Sequence, residues 1–318
     1  MPDRKPPATD REAVEGAVRD CYSTWSARYY DDYYQGAGAY PPVHTDIVRG
    51  LLRAAGARTV LDAGCGPASM LRDLAEPGLE RWGFDLTPEM VAEARRVLAK
   101  QGLPAERVWE GSVLDPAAFQ ARAGAPPEGF DAVVCFGVLP HVPVDGDAQV
   151  LANMRAAVRP GGLVAIEARN QLFALFTFNR YSRDFFHDVL IGVSALEKKA
   201  ADARERAALE RALAVLDQHF RIDLPPERTG DAGRPGYDEV LSRTHNPFLL
   251  RQAAKGQSLT DVEVLFYHYH ALPPMLEGEA PELFRRTSLA IENPRDWRGH
   301  FMASAFVLVG RRPLERLR

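Results

Sequence analysis

The sequence predicts an α/β fold on a doubly wound sheet, and two observations carry that prediction. First, Thr59-Val60-Leu61 is a short apolar run ending in Asp62, after which Gly64 and Gly66 permit a turn that a Cβ would crowd. Ser69 to Ala75 then places Met70, Leu71 and Leu74 on one helical face. Second, Arg81 to Leu86 reads as another strand and ends in Asp85, nineteen positions beyond Gly66. A strand, a glycine turn, a helix start and an acid about 20 residues further on form the nucleotide cradle of such a sheet.

The cradle also suggests its ligand. A dinucleotide fingerprint wants a third Gly or Ala where this chain has Ser69. Asp62 would repel a pyrophosphate and attract an ammonium or sulfonium group. A nucleoside carrying positive charge fits better than NAD, and a nicotinamide dehydrogenase is the least favoured reading. Val60-Leu-Asp-Ala-Gly-Cys-Gly66 resembles the first motif of class I S-adenosylmethionine-dependent methyltransferases. The resemblance implies that Asp62, Ala63, Gly64 and Gly66 hold the amino-acid end of S-adenosylmethionine, with S-adenosylhomocysteine as product. It also implies a seven-stranded Rossmann-like sheet. On that frame, residues 1–44 read as an N-terminal helical cap and 45–170 as the cofactor-binding core. Residues 171–255 read as a mostly helical lid or substrate segment inserted between strands five and six, and 256–318 as the closing strands.

At the start, Met1 to Asp10 is polar and proline-rich and reads as frayed. From Arg11, Val14, Val18, Cys21 and Trp25 recur at helical spacing. The cluster Tyr29-Tyr30-Asp-Asp-Tyr33-Tyr34 either packs the cap onto the sheet or, as the family's N-terminal lids imply, closes over the cofactor. In the second case Tyr30 and Tyr34 would offer a ring face to the sulfonium and a hydroxyl to the carboxylate. Ile47, Leu51 and Leu52 then mark a helix leading into the first strand.

Asp85 is placed to accept from ribose hydroxyls. Thr87, Pro88 and Glu89 start a helix with Val91, Ala94, Val97 and Leu98 as its buried stripe. Gly83-Phe-Asp-Leu-Thr-Pro-Glu-Met90 matches the family's second motif, which adds Leu86 and Met90 to the cofactor set. Arg107 to Asp115 reads as strand three and its exit. The family usually has an acid after this glycine, accepting from the adenine amine; here Ser112 stands there, with the Val113 backbone beside it. Asp115 reads as the cap of a helix from Pro116.

Gly129 to Val142 reads as strand four and its following loop, where Phe136, Gly137 and Val138 line the cofactor. His141 lies just past the strand, as a base, a substrate-orienting group or a structural hydrogen-bonding fixture. Val150, Met154 and Val158 form a helix face that Arg159-Pro-Gly-Gly162 breaks, and Leu163 to Ala168 is strand five. Glu167 and Asn170 face the acceptor position. Glu167 reads as a general base, a grip for an amine or a partner of a loop amide.

In the insertion, Arg180, Tyr181 and Arg183 suit an anionic or flat substrate, although aromatics there are more often core. Leu209, Leu213, Leu216 and Phe220 share a helical face, and Arg221 to Tyr237 reads as a mobile loop. Val262 to Pro274 and Phe301 to Val309 resemble the family's antiparallel sixth and seventh strands. His268 and His270 share one strand face, on the substrate side or in a structural role; without a third ligand they make no metal site.

The 318 residues, 46% hydrophobic and 26% charged, are those of a soluble globular protein. A net charge of −4 gives no broad basic field for nucleic acid. Cys21, Cys65 and Cys135 are widely spaced, and neither a leader nor a bilayer-length apolar run is evident, so a cytoplasmic protein without membrane partners is expected. The expected function is methyl transfer to a small-molecule acceptor at oxygen, nitrogen or activated carbon, in natural-product biosynthesis. Aminopropyl transfer on the same core and non-catalytic sensing of the cofactor are the alternatives.

Overall fold

The computed structural model describes residues 10–23, 42–120, 124–229, 236 and 238–314. Seven strands form one sheet in the order β3-β2-β1-β4-β5-β7-β6. They are β1 Thr59–Ala63, β2 Glu80–Asp85, β3 Val108–Glu110, β4 Phe130–Cys135, β5 Val158–Arg169, β6 Thr260–Tyr269 and β7 Ala303–Arg311. Strands β1 to β5 are parallel, and their register sets Asp62 of β1 beside Gly83 of β2 and Val134 of β4. At one end of β6 and β7 the Thr260 hydroxyl donates to the Arg311 carbonyl; at the other the Ser304 hydroxyl donates to that of His268. That pairing is antiparallel, as the sequence predicts.

The chain divides into two compact units. One comprises residues 1–169, 228–265 and 306–318, the other residues 170–227 and 266–305. The central strands of the first unit read as near-continuous apolar runs because both faces are covered; Leu61, Trp82, Phe84, Val133 and Ile166 are all buried. Helices α1 (Arg11–Ser23), α2 (Val43–Ala55), α3 (Ser69–Asp73), α4 (Pro88–Ala99) and α5 (Asp147–Ala157) surround them. Helix α4 starts with an extended Thr87 and with Pro88 in its first turn, where a missing N–H costs nothing. It buries Met90, Val91, Ala94 and Leu98, while Val97 stays half-buried. Helix α2 buries Thr45, Val48 and Leu52; Ile47 and Leu51 are only half-buried.

Helix α5 ends at Ala157, before Arg159-Pro-Gly-Gly162 as expected, but β5 already starts at Val158 and takes these residues in. Phe130 pairs with Val158 and Ala132 with Leu163, so the intervening residues form an irregularity inside a continuous strand. The Arg159 guanidinium lies 2.6 Å from Asp131, which also accepts from the Arg58 and Thr59 amides and fixes the entry to β1.

In the second unit, Asn179 accepts from the Tyr181 amide and caps the short helix Arg180–Asp184. The hydroxyls of Thr177 and Ser182 sit 2.8 Å apart beneath it. Helix α6 (Ala203–Asp217) is capped by Asp202 and buries no residue; its predicted stripe of Leu209, Leu213 and Leu216 is half-buried, with Phe220 buried beyond its end. Of the predicted loop 221–237, residues 230–235 and 237 lie outside the described residues. No described helix is long and apolar enough to cross a membrane.

Candidate active site

Strand β1 has β2 on one side and β4 on the other. The chain therefore leaves the carboxyl ends of β1 and β4 in opposite directions, which opens the crevice where such sheets bind ligands. Gly64 follows β1 at φ +83, and a Cβ there would lie 2.2 Å from Cγ2 of Val138, which follows β4. Only glycine lets these two loops approach so closely. The amides of Gly64 and Cys65 donate to the Phe84 carbonyl of β2 at 2.8 and 2.9 Å, so the turn is tied down across the sheet. Ala68 completes it at φ 63, a left-handed conformation that costs an L-residue about 1 kcal/mol.

Two carboxyls flank this turn. Asp85 accepts from the Gly66 amide at 2.8 Å through one oxygen and from the Thr87 amide at 2.9 Å through the other. Burial raises its pKa, and these amides oppose the rise. Each oxygen still has a lone pair for a ribose hydroxyl. Asp62 is 3% exposed, and its carboxyl has no hydrogen-bond partner among the described residues. Burial first, and the neighbouring Asp85 second, push it up to about 8. A buried acid so reluctant to ionise is matched by a cation, which restores the charged form. The residues fit a nucleoside with a cationic amino-acid end.

Helix α1 lies along the same edge of the sheet, and its residues Glu15, Arg19 and Tyr22 share one helical face. The Ser112 hydroxyl, after β3, donates to Glu15 at 2.6 Å. Arg19 donates to the Leu86 carbonyl, after β2, at 3.3 Å. The Tyr22 hydroxyl lies 2.9 Å from Nε2 of His141, after β4. The sequence did not single out these three, because polar residues on an amphipathic helix read as its solvent face. His44 was missed too: its ring lies 5.9 Å from that of Phe136, and burial holds it neutral with a pKa of about 4. A lone histidine leaves no signal in a sequence.

The structure treats the sequence-predicted residues differently. Tyr30 and Tyr34 lie outside the described residues. Asp62, Ala63, Gly64, Gly66, Asp85, Leu86, Phe136, Gly137 and Val138 gather at the ends of β1, β2 and β4. Met90, expected at the cofactor, is 2% exposed on the buried face of α4 and packs in the core. Ser112 was expected to meet the adenine amine, but its hydroxyl donates to Glu15 and accepts from the Leu114 amide. The Val113 carbonyl takes the Asn153 side chain at 3.0 Å.

Glu167 accepts from the Gly137 amide at 2.7 Å and so fixes the loop after β4. His141 is buried with both ring nitrogens engaged, Nδ1 lying 2.6 Å from the Leu241 carbonyl, and burial lowers its pKa to about 4. Asn170 is no free substrate contact. Its amide donates to the carbonyls of Gly299, His300 and Ala303, and its oxygen accepts from Leu172.

Arg180 pairs with Glu227 at 3.0 Å and stacks over the exposed ring of Tyr181. The rings of His268 and His270 lie 5.3 Å apart, and His270 also packs on Phe173 and Phe284. Asn170, Arg180, Tyr181, His268 and His270 all belong to the second unit. Among the described residues, no three His, Cys, Asp or Glu side chains gather as a metal-ligand set.

Residues 60–162 match a family model described as a methyltransferase domain. The ubiquinone biosynthesis O-methyltransferase of Xanthomonas axonopodis pv. citri (strain 306) is 34% identical over 138 residues, 43% of this chain and 54% of that protein. That of Azoarcus sp. (strain BH72) is 30% identical over 149 residues, 47% of this chain and 60% of its own. Among solved structures, an O-methyltransferase family protein from Burkholderia thailandensis aligns at a TM-score of 0.48 and 17% identity, over 99% of this chain and 66% of that one. The chain spans about half the length of the curated relatives it matches. The matched segment runs from Val60 of β1 through β4 and contains the glycine turn, so residues 60–162 are similar to methyltransferase domains.

Proposed function

We propose that this chain transfers the methyl group of S-adenosylmethionine to a small-molecule acceptor. The observation that carries the reading is Asp62, a buried carboxyl without a hydrogen-bond partner among the described residues, set against a turn that only glycine can form. When bound, the cofactor supplies a methyl group already activated on a sulfonium. The chain's own work is then to bind and align.

Asp62 faces the cationic amino-acid end, and Asp85 holds the ribose while it braces Gly66 and Thr87. Val138 and the Gly137 amide, fixed by Glu167, shape the wall after β4. His141 acts as a positioning residue: with both nitrogens engaged and its ring neutral, it holds α1 and residue 241 against that wall. In the second unit, Arg180, Tyr181 and the pair His268 and His270 are assigned to acceptor binding.

The acceptor is a small molecule, since a net charge of −4 gives no field for nucleic acid. The names of the curated relatives support an oxygen acceptor ahead of nitrogen or activated carbon. Calorimetric titration with S-adenosylmethionine, S-adenosylhomocysteine and NAD tests the cofactor. Binding of the first two without NAD is expected; binding of NAD alone, or of none, overturns the reading. A screen of hydroxylated small molecules with radiolabelled methyl donor then tests the acceptor.

A further inference from the structure

We infer that Glu15 reads the amino group of the cofactor's adenine, because its carboxylate is a stronger acceptor than the Ser112 hydroxyl. The inference rests on the cofactor reading above. With the amino-acid end at the β1 turn and the ribose at Asp85, the base must extend toward the next strand, β3. Its exit loop is tied to that place, because the Gly111 amide donates to the Asp85 carbonyl at 2.9 Å.

Among the described residues, the Ser112 hydroxyl, the Val113 carbonyl and the Glu15 carboxylate are acceptors there. The Ser112 hydroxyl gives its proton to Glu15 Oε1 at 2.6 Å and takes the Leu114 amide at 3.1 Å. The Val113 carbonyl takes Asn153 at 3.0 Å. Glu15 differs from both. Its Oε1 is anchored by Ser112 and by Arg11 at 3.2 Å, whereas Oε2 has no partner among the described residues. One oxygen is held and the other open, so the carboxylate is oriented before the ligand arrives. An exocyclic amine donating to it would make a charge-assisted hydrogen bond. An oxygen at the same ring position would face the carboxylate as a second acceptor and be repelled. Ser112 is then a positioning residue that aims Glu15.

The test compares S-adenosylhomocysteine with S-inosylhomocysteine, in which oxygen replaces the amine, by calorimetry on the full chain. The unaltered protein should prefer the amine by about tenfold or more, as expected for a hydrogen bond to a charged group. In Glu15→Gln and Glu15→Ala the preference should shrink to within about threefold, through weaker binding of S-adenosylhomocysteine and with the melting transition retained. Ser112→Ala should lose part of the preference. Undiminished preference in both Glu15 variants overturns this inference alone. No binding of S-adenosylhomocysteine to the unaltered protein overturns it together with the cofactor reading.

Discussion

Tyr22 and His141 are joined across 119 positions of sequence by a 2.9 Å hydrogen bond, and its direction follows from the other side of the ring. Nδ1 of His141 faces the Leu241 carbonyl, which can only accept, so Nδ1 carries the proton and Nε2 accepts from the Tyr22 hydroxyl. One neutral imidazole thereby links α1, the loop after β4 and the segment near residue 241. The neighbouring contacts reinforce that last link. Arg243 forks onto Asp147 at 3.0 and 2.8 Å, and the His245 amide donates to the Arg169 carbonyl at 2.7 Å.

A histidine in this position should not titrate near neutrality. Its folded pKa of about 4 lies below the ordinary 6.5, so the unfolded chain takes up the proton first. The stability this histidine contributes is complete above pH 6.5 and is lost as pH falls toward about 4. His141 ring resonances should stay unshifted between about pH 5.5 and about pH 8, and titration inside that window would restore it as a candidate base. Tyr22→Phe should cost about 1 kcal/mol in chemical denaturation, the usual contribution of one hydrogen bond.

Asp62 predicts a proton release. Its pKa of about 8 in the folded protein means that the carboxyl is largely protonated at neutral pH. A cationic ligand favours the ionised form, so binding expels the proton and affinity rises with pH up to about 8. Without ligand the sign for stability is opposite to that of His141: stability falls as pH rises from 3.8 to about 8, because the unfolded chain loses the proton first. Calorimetry in two buffers of different ionisation enthalpy should show approach to one proton released near about pH 6.5, and Asp62→Asn should abolish it. Binding without proton release in the unaltered protein would remove Asp62 from the cation site.

Gly64 and Val138 predict a coupled pair. Gly64→Ala should cost about 1–2 kcal/mol from the left-handed backbone and about 1–3 kcal/mol from overlap with Val138. Val138→Ala removes the atom that the new Cβ would meet at 2.2 Å and leaves a contact at 3.5 Å. The double variant should recover the overlap portion and not the backbone portion, as read in a double-mutant cycle of denaturation free energies. Simple additivity would show that the two loops do not touch.

The legible parts of the fold were those governed by local chemistry. The glycine turn, the Asp115 cap and the extended Thr87 before Pro88 follow from backbone rules over a few residues. Arg159-Pro-Gly-Gly162 ends α5 as local rules require, but the early start of β5 was not legible, because it depends on pairing of Val158 with Phe130 and of Leu163 with Ala132 in another strand. Met90, Ala94 and Leu98 recur every four residues and so mark the buried face of α4. The contacts of Arg19, Glu15 and Tyr22 span 67, 97 and 119 positions, and no local pattern carries information over such distances.

Asp85 is the residue whose loss should be felt in both folding and binding. Its two oxygens take the Gly66 and Thr87 amides, so it braces the glycine turn and the start of α4 at once. In Asp85→Asn one oxygen becomes an NH2 group that points its donors at an N–H donor, leaving a buried amide unpaired. That mismatch should cost about 1–3 kcal/mol of stability. The ribose loses its charged acceptor as well, so S-adenosylhomocysteine affinity should fall about tenfold to a hundredfold. Chemical denaturation and calorimetry read the two effects separately. A destabilised variant with unaltered affinity would make Asp85 a brace alone and move ribose recognition elsewhere on the rim.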